Sequence, residues 1–317
     1  MRVRIFAFLA AAAAGLVGSP ALAVDQIEPT PEQKTRCERA LNESGKRFCL
    51  AGYSVRGLDF PVTAQDVVPN SVRAMAIYKP PGSGPFPAII LLHTCATLDL
   101  NDQLAYWARA ALANGYVAFV LDQFTQRGIH GNEGGCGAAW PGWRNRDAGR
   151  ARDAFDALAH LGRFDFVDTK RIAAMGFSEG ARAAYYLSSR GVGNLFATGG
   201  RFAAVVALYG QCYVAASGLN RIASDIATPL LALLGEVDVD GDPKHCVPRL
   251  QAAKDSGAPV EWTVFPKTGH VWDQPSRIPG KRMSWHEPPY TVLFEYNRGV
   301  TEQSRDLAFA FLQRVAK

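Results

Sequence analysis

The 317-residue sequence contains no C-x-x-C pair and no H-E-x-x-H, so the commonest zinc-site spacings are missing. It has no run of like charges and a formal net charge of only +5, which argues against a dedicated nucleic-acid binder. No repeat of fixed period and no low-complexity linker divides it, so one large domain is expected. Beyond the first two dozen residues no stretch is long and apolar enough to cross a bilayer. Hydrophobic residues make up 48% and charged residues 20%. That balance supplies a sizeable core and excludes a disordered, collagen-like or coiled-coil chain.

Residues 1–23 read as an address. Arg2 and Arg4 give a basic start, residues 5–17 are apolar, Pro20 breaks the run, and Ala21-Leu22-Ala23 is a small-residue cleavage site. This is the pattern of a secretory signal peptide, and the apolar run is short of the roughly 20 residues of a membrane span. A periplasmic or secreted protein, free of the membrane after cleavage, is expected. All six cysteines lie beyond it. An even count in an oxidising compartment suggests disulfides, with free thiols as the alternative, though sequence alone does not choose among the pairings.

A polar N-terminal extension at 24–51 holds Cys37 and Cys49. Two strands are predicted at 52–60 and 71–79. The run Ala88-Ile89-Ile90-Leu91-Leu92 is continuously apolar, as a strand covered on both faces must be. Strands and helices then alternate. Strands are predicted at 116–121, 171–175, 202–208, 229–234 and 260–265, and helices at 101–114, 144–161, 179–190, 244–256 and 305–316. Residues 123–143 form a Gly-rich loop, and 271–304, with little periodicity, is expected to be an active-site loop or cap. The alternation over 52–317 predicts an α/β fold: a mostly parallel central sheet with helices on both faces. In that frame sequential pairing is expected: Cys37–Cys49, Cys95–Cys136 and Cys212–Cys246. Cys95 and Cys136 follow neighbouring strands, Cys212 follows a strand end, and Cys246 opens the helix after the next strand.

Gly176-Phe177-Ser178-Glu179-Gly180 joins a predicted strand to a predicted helix. G-x-S-x-G in that setting lifts a serine hydroxyl out of a sharp, strained turn. The flanking glycines let strand and helix pass close together, and the helix N-terminus favours a developing oxyanion. A tight βα turn without chemistry is the rival reading; the position in mid-pattern, where open parallel sheets place ligands, favours a site. The serine needs a base and an orienting acid in the order Ser, Asp, His. Asp238 follows the strand at 229–234, and His270 follows the strand at 260–265, on the same rim. Asp240 and Asp242 resemble turn residues and Glu236 is a minor rival. Of the other histidines, His93 shapes the loop behind the oxyanion hole, His160 is a surface residue, His245 a candidate helix cap, and His130 and His286 candidate substrate contacts. Trp140, Trp143, Trp272 and Trp285 fall in predicted loops near the rim, to pack there or to line an aromatic or bulky acyl pocket. Asn42-Glu43-Ser44 is a glycosylation sequon, relevant only in a eukaryotic secretory pathway.

These segments together resemble the dienelactone hydrolase family of the α/β-hydrolase fold. The likeness rests on Leu91-Leu92-His93-Thr94-Cys95, Gly115-Tyr116-Val117, Leu121-Asp122-Gln123-Phe124 with Arg127-Gly128, the Ser178 turn, Gly235-Glu236-Val237-Asp238, and Pro266 with Gly269-His270. It implies hydrolysis of a small-molecule ester or lactone by Ser178, His270 and Asp238, with no metal or organic cofactor. The backbone N–H groups of Glu179 and Cys95 are expected to form the oxyanion hole. The founding enzymes carry a cysteine nucleophile, so the chain looks more like secreted serine-bearing relatives. Where such relatives often read His-Gly-Cys-Gly-Gly, this chain reads His93-Thr94-Cys95-Ala96-Thr97. A serine peptidase or acyltransferase on the same scaffold, and a non-catalytic binding protein, are the alternatives.

Overall fold

The computed structural model describes residues 27–130, 146–214, 217–276, 281–284 and 291–316. The proposed leader, Cys136, Trp140, Trp143, Trp285 and His286 lie outside the described residues, and with Cys136 so does the Cys95–Cys136 pairing.

In chain order the strands are β1 (Ala64–Gln65), β2 (Ala76–Tyr78), β3 (Phe86–Leu92), β4 (Val117–Leu121), β5 (Val167–Phe177), β6 (Ala204–Leu208), β7 (Tyr213–Val214), β8 (Leu219–Asn220), β9 (Leu230–Gly235), β10 (Val260–Phe265), β11 (Lys281–Ser284) and β12 (Thr291–Phe294). The described helices are α1 (Pro31–Cys37), α2 (Glu43–Tyr53), α3 (Gln103–Ala113), α4 (Arg146–Leu161), α5 (Glu179–Leu187), α6 (Arg190–Phe196), α7 (Pro243–Asp255) and α8 (Arg298–Val315). Eight strands form one sheet in the order β1-β2-β4-β3-β5-β6-β9-β10. Among the described residues, its β2–β4 pair is antiparallel and every other pair is parallel.

The apolar runs are continuous because both faces of the sheet are covered. Successive side chains of a strand point to opposite faces, and they fall into two separate cores. Ile90, Leu92, Phe119, Leu121 and Ala174 pack with Ala154, Leu158 and Ala184 of α4 and α5. Ile89, Leu91, Val120, Met175 and Phe177 pack with Trp107 and Ala108 of α3 and Phe309 and Leu312 of α8. Among the described residues, two bridges are buried in this first layer. Cys37–Cys49 ties α1 to α2, and Cys212–Cys246 ties the segment after β6 to α7.

Three sequence expectations are corrected. Residues 52–60 form no strand: the chain stays helical to Tyr53, because the Asn42 side chain caps α2 and the Cys37–Cys49 bridge holds that helix against α1. The expected strand at 71–79 shrinks to β2. Within 271–304, β11 and β12 pair antiparallel, and α8 starts at Arg298, well before 305, where Asn297 accepts from the Val300 N–H.

Candidate active site

Ser178 occupies the turn between β5 and α5 with φ 52° and ψ −109°, a conformation rare for a residue with a side chain. Two local features hold it there. Its N–H donates to the Leu208 carbonyl of β6 at 3.0 Å. The strand end also lies so close to the helix that a Cβ on Gly176 would stand 2.2 Å from the Gly180 carbonyl oxygen. Only glycine fits, which is the physical content of the motif.

Asp238 lies in the turn after β9, buried, its N–H donating to the Gly235 carbonyl at 3.2 Å. His270 follows β10, and its N–H donates to the Leu293 carbonyl of β12 at 2.7 Å. A Cβ on Gly269 would come 2.3 Å from that same carbonyl oxygen, so the Gly269-His270 pair also has a steric reason. His270 Nδ1 is 2.8 Å from Asp238 Oδ2, and Nε2 is 2.9 Å from Ser178 Oγ. An ionised carboxylate only accepts, so Nδ1 carries the hydrogen and the Nε2 lone pair faces the hydroxyl. The second oxygen of Asp238 accepts from the Asp240 N–H at 2.9 Å. Residues 92, 60 and 32 positions apart in pairs thus meet on the carboxyl rim of the sheet.

The loop bearing Cys95 is stiff and adjoins the Ser178 turn. Asn101 Nδ2 donates to the carbonyls of Ala96 and Thr97 at 3.0 and 2.8 Å, and its Oδ1 accepts from Thr94 N at 3.2 Å. His93 is fully buried. Its Nε2 accepts from Gln123 N at 3.2 Å, and its Nδ1 donates to the Thr94 carbonyl at 2.7 Å. Burial, assisted by the Arg150 guanidinium, pushes its pKa down to about 3, so the ring is neutral.

The Glu179 side chain has a second life unread in the sequence. It is buried beneath the Ser178 turn and receives Arg146 Nη2 at 2.5 Å and Arg150 Nη1 at 3.0 Å. Arg150 also donates to the His93 and Thr94 carbonyls at 2.5 and 3.2 Å and to Gln123 Oε1 at 2.8 Å. Burial lowers the Arg146 pKa against the pull of Glu179 and brings that of Arg150 to about 10, so Arg150 stays charged at neutral pH. Further along α5, Arg182 pairs with Asp147 at 2.9 Å, and Arg221 reaches the same carboxylate at 2.8 Å. Burial opposes the Asp147 charge, but the two guanidiniums outweigh it and hold the carboxyl below its usual range. The available signal was a pair of arginines four apart on the face of α4 that otherwise carries its alanines.

Other expectations fare unevenly. His160 is no surface residue: its Nε2 lies 2.7 Å from the Pro61 carbonyl oxygen among Phe60, Phe119 and Phe164. His245 is not a cap, because Asp242 fills that role by accepting from Lys244 N at 2.9 Å. His130 is exposed. Trp272 is wholly buried, donating to Ser304 Oγ at 3.0 Å, and packs as core. Among the described residues no group of three His, Cys, Asp or Glu side chains converges as a metal ion requires.

A mostly parallel eight-stranded sheet, covered by helices on both faces, with a serine on a strand–turn–helix elbow and a histidine and an aspartate on later strand ends, defines an α/β-hydrolase. The sequence pattern of the dienelactone hydrolase family matches residues 73–316, and the chain belongs to that family. No curated protein matches it in sequence. Solved structures share its fold at low identity. A Klebsiella pneumoniae subsp. pneumoniae protein assigned as a dienelactone hydrolase superposes with a TM-score of 0.54 at 18% identity, covering 76% of this chain and 93% of its own. The propionate-bound esterase Est2 of Thermogutta terrifontis gives 0.52 at 16% identity, covering 76% and 89%. The α/β-hydrolase MGS-M1 from a Medee basin deep-sea metagenome library gives 0.50 at 20% identity, covering 73% and 85%.

Proposed function

We propose that the protein is a serine esterase that cleaves a small-molecule ester or lactone through an acyl-enzyme, with Ser178, His270 and Asp238 as its triad. One observation carries the reading. The Ser178 hydroxyl, on a strained elbow, lies 2.9 Å from an imidazole whose far nitrogen is held at 2.8 Å by a buried carboxylate. In the mechanism Ser178 Oγ attacks the carbonyl carbon while Nε2 takes its proton. Asp238 keeps the tautomer and stabilises the imidazolium. Collapse of the tetrahedral intermediate breaks the ester bond, and the proton passes from Nε2 to the leaving alkoxide. Water, activated by the same nitrogen, then releases the acid. The N–H groups of Glu179 and Cys95 receive the oxyanion; the close approach of α5 to Leu92 and His93, just ahead of Cys95, supports their pairing. The family's activity and the esterase named among the structural neighbours are in keeping with this chemistry. Two disulfides fit export to an oxidising compartment, and no described helix is long and apolar enough to cross a membrane.

A panel of p-nitrophenyl esters, lactones and peptide amides on the mature chain tests the substrate class. Turnover of amides at rates matching esters would make it a peptidase. Ser178→Ala is expected to lower kcat by several powers of ten at unchanged fold and to abolish labelling by a fluorophosphonate. Full activity in that variant would end the proposal. Asp238→Asn is expected to lower kcat by about three to four powers of ten with little change in KM.

A further inference from the structure

Among the described residues, a second group stands near His270 Nε2. Beyond Ser178 Oγ, the Asp240 carboxylate places Oδ2 at 3.9 Å from the same nitrogen. This carboxylate is not a loose surface charge. Its Oδ1 accepts from Gln211 Nε2 at 3.2 Å. The Gln211 amide is oriented in turn by Arg221, whose Nη1 donates to Gln211 Oε1 at 3.2 Å. Arg221 is buried and anchored on Asp147 at 2.8 Å. Asp240 keeps 22% of its side chain exposed, so a held anion looks out from the edge of the site.

The mechanism fixes what stands beside Nε2. That nitrogen gives its proton to the leaving alkoxide, so the leaving oxygen must come within about 3 Å of it. The alcohol portion of the substrate therefore lies next to Asp240, while the acyl portion stays on Ser178. A carboxylate there repels an anion and accepts from a donor.

Resting on the serine-esterase reading, we propose that Asp240 is a recognition residue for the alcohol portion, and that the preferred substrates are esters whose alcohol carries a hydroxyl or ammonium group next to the ester oxygen-bearing carbon. Such a donor reaches Oδ2 without displacing the Gln211 bond. The same carboxylate stabilises the imidazolium formed during attack. Among the described residues, Asp238 stands at Nδ1 of that ring and Asp240 near Nε2, with the Tyr209 and Phe294 rings packed edge-to-face against it. The Arg182 guanidinium on α5 is near enough to interact electrostatically with Asp240.

The test compares the ethyl and 2-hydroxyethyl esters of whichever acid turns over fastest, on the mature chain. The hydroxyethyl ester is expected to show a kcat/KM about tenfold higher, as one hydrogen bond to a charged acceptor gives. In Asp240→Asn that ratio falls towards one, and the acid limb of kcat/KM on the ethyl ester moves to lower pH by about one unit, because an anion beside the imidazolium has been removed. A structural role alone would not move the acid limb. Gln211→Leu, which leaves the carboxylate but frees it, should lower the ratio by less. A parental ratio of one overturns the proposal with no variant needed, as does a ratio and acid limb untouched by Asp240→Asn. Failure to cleave any ester would remove the esterase reading as well, whereas cleavage of both esters at equal rates removes this proposal alone.

Discussion

A methyl group at Gly180 would stand 2.0 Å from the carbonyl oxygen of Leu92 and 2.7 Å from that of His93. The first turn of α5 therefore rests directly on the end of β3, and this contact sets the distance between the Ser178 turn and the loop bearing Cys95. Gly180→Ala must push the helix off backbone atoms that cannot move aside. It is expected to lower the thermal midpoint by several degrees and cost at least tenfold in kcat. Gly299→Ala in the first turn of α8 meets nothing closer than the Asn297 side chain at 3.6 Å and should leave both values unchanged or the midpoint slightly raised. Equal behaviour of the two variants would refute the packing argument.

Glu179 sits one residue after Ser178, with its backbone proposed for the oxyanion and its carboxylate holding Arg146 and Arg150. Glu179→Gln keeps the backbone and removes the charge. Two buried guanidiniums would then lose their counter-ion, and breaking a buried pair this way costs about 3–5 kcal/mol. The expected readout is a large fall in the urea midpoint at constant m-value. A loss of activity with the midpoint unmoved would assign the carboxylate to chemistry instead.

The Cys212–Cys246 bridge joins the segment following β6 to the first turn of α7, just beyond the Asp238–Asp242 turn, and both sulfurs are buried. Replacing both cysteines by alanine should cost about 2–4 kcal/mol of stability. Activity should fall further than the folded fraction does, because the bridge also restrains Gln211 and Asp240. Parallel denaturation and activity curves on the double variant decide this; coincident losses would confine the bridge to stability.

How far these features could be read from sequence depends on the range of the interactions behind them. The central strands were legible because burial on both faces demands uninterrupted apolar runs. That Ser178, Asp238 and His270 would meet was legible because each follows a strand end, and parallel strands deliver their ends to one rim; their part in a reaction is the proposal. Cys212–Cys246 followed from the same logic, whereas Cys37–Cys49, which joins two helices ahead of the first strand, rested on sequential pairing of an even cysteine count alone. The arginine cage was not legible: an arginine's default place is the surface, and Arg150 is buried only because Glu179 and the His93 carbonyl, 29 and 57 positions away, receive it. The early start of α8 was hidden by polar residues on its buried face. Thr301 donates to the Trp272 carbonyl at 3.1 Å and Ser304 accepts from Trp272 Nε1 at 3.0 Å, so the apolar period is broken by partners the sequence does not announce.

The carboxylate of Asp273 lies three residues beyond His270, wholly buried, taking Trp107 Nε1 at 2.7 Å and Tyr209 Oη at 2.8 Å. Tyr209 in turn sets its ring edge-to-face against His270, 5.1 Å between centroids. Burial raises the Asp273 pKa from 3.8 to about 6, against the pull of its two donors. The sign for stability follows. Below about pH 4 the carboxyl is protonated in both folded and unfolded chains. As pH rises from 4 to 6 the unfolded chain releases its proton first, so the folded state loses stability, by about 3 kcal/mol in all, and no more is lost above 6. Asp273→Asn is neutral at every pH, and its amide can still accept from Trp107 and donate to the Tyr209 oxygen. The thermal midpoint of the variant minus that of the parent should therefore grow more positive between pH 4 and pH 7.5. A difference independent of pH across that range would mean that Asp273 titrates alike in the folded and unfolded chain.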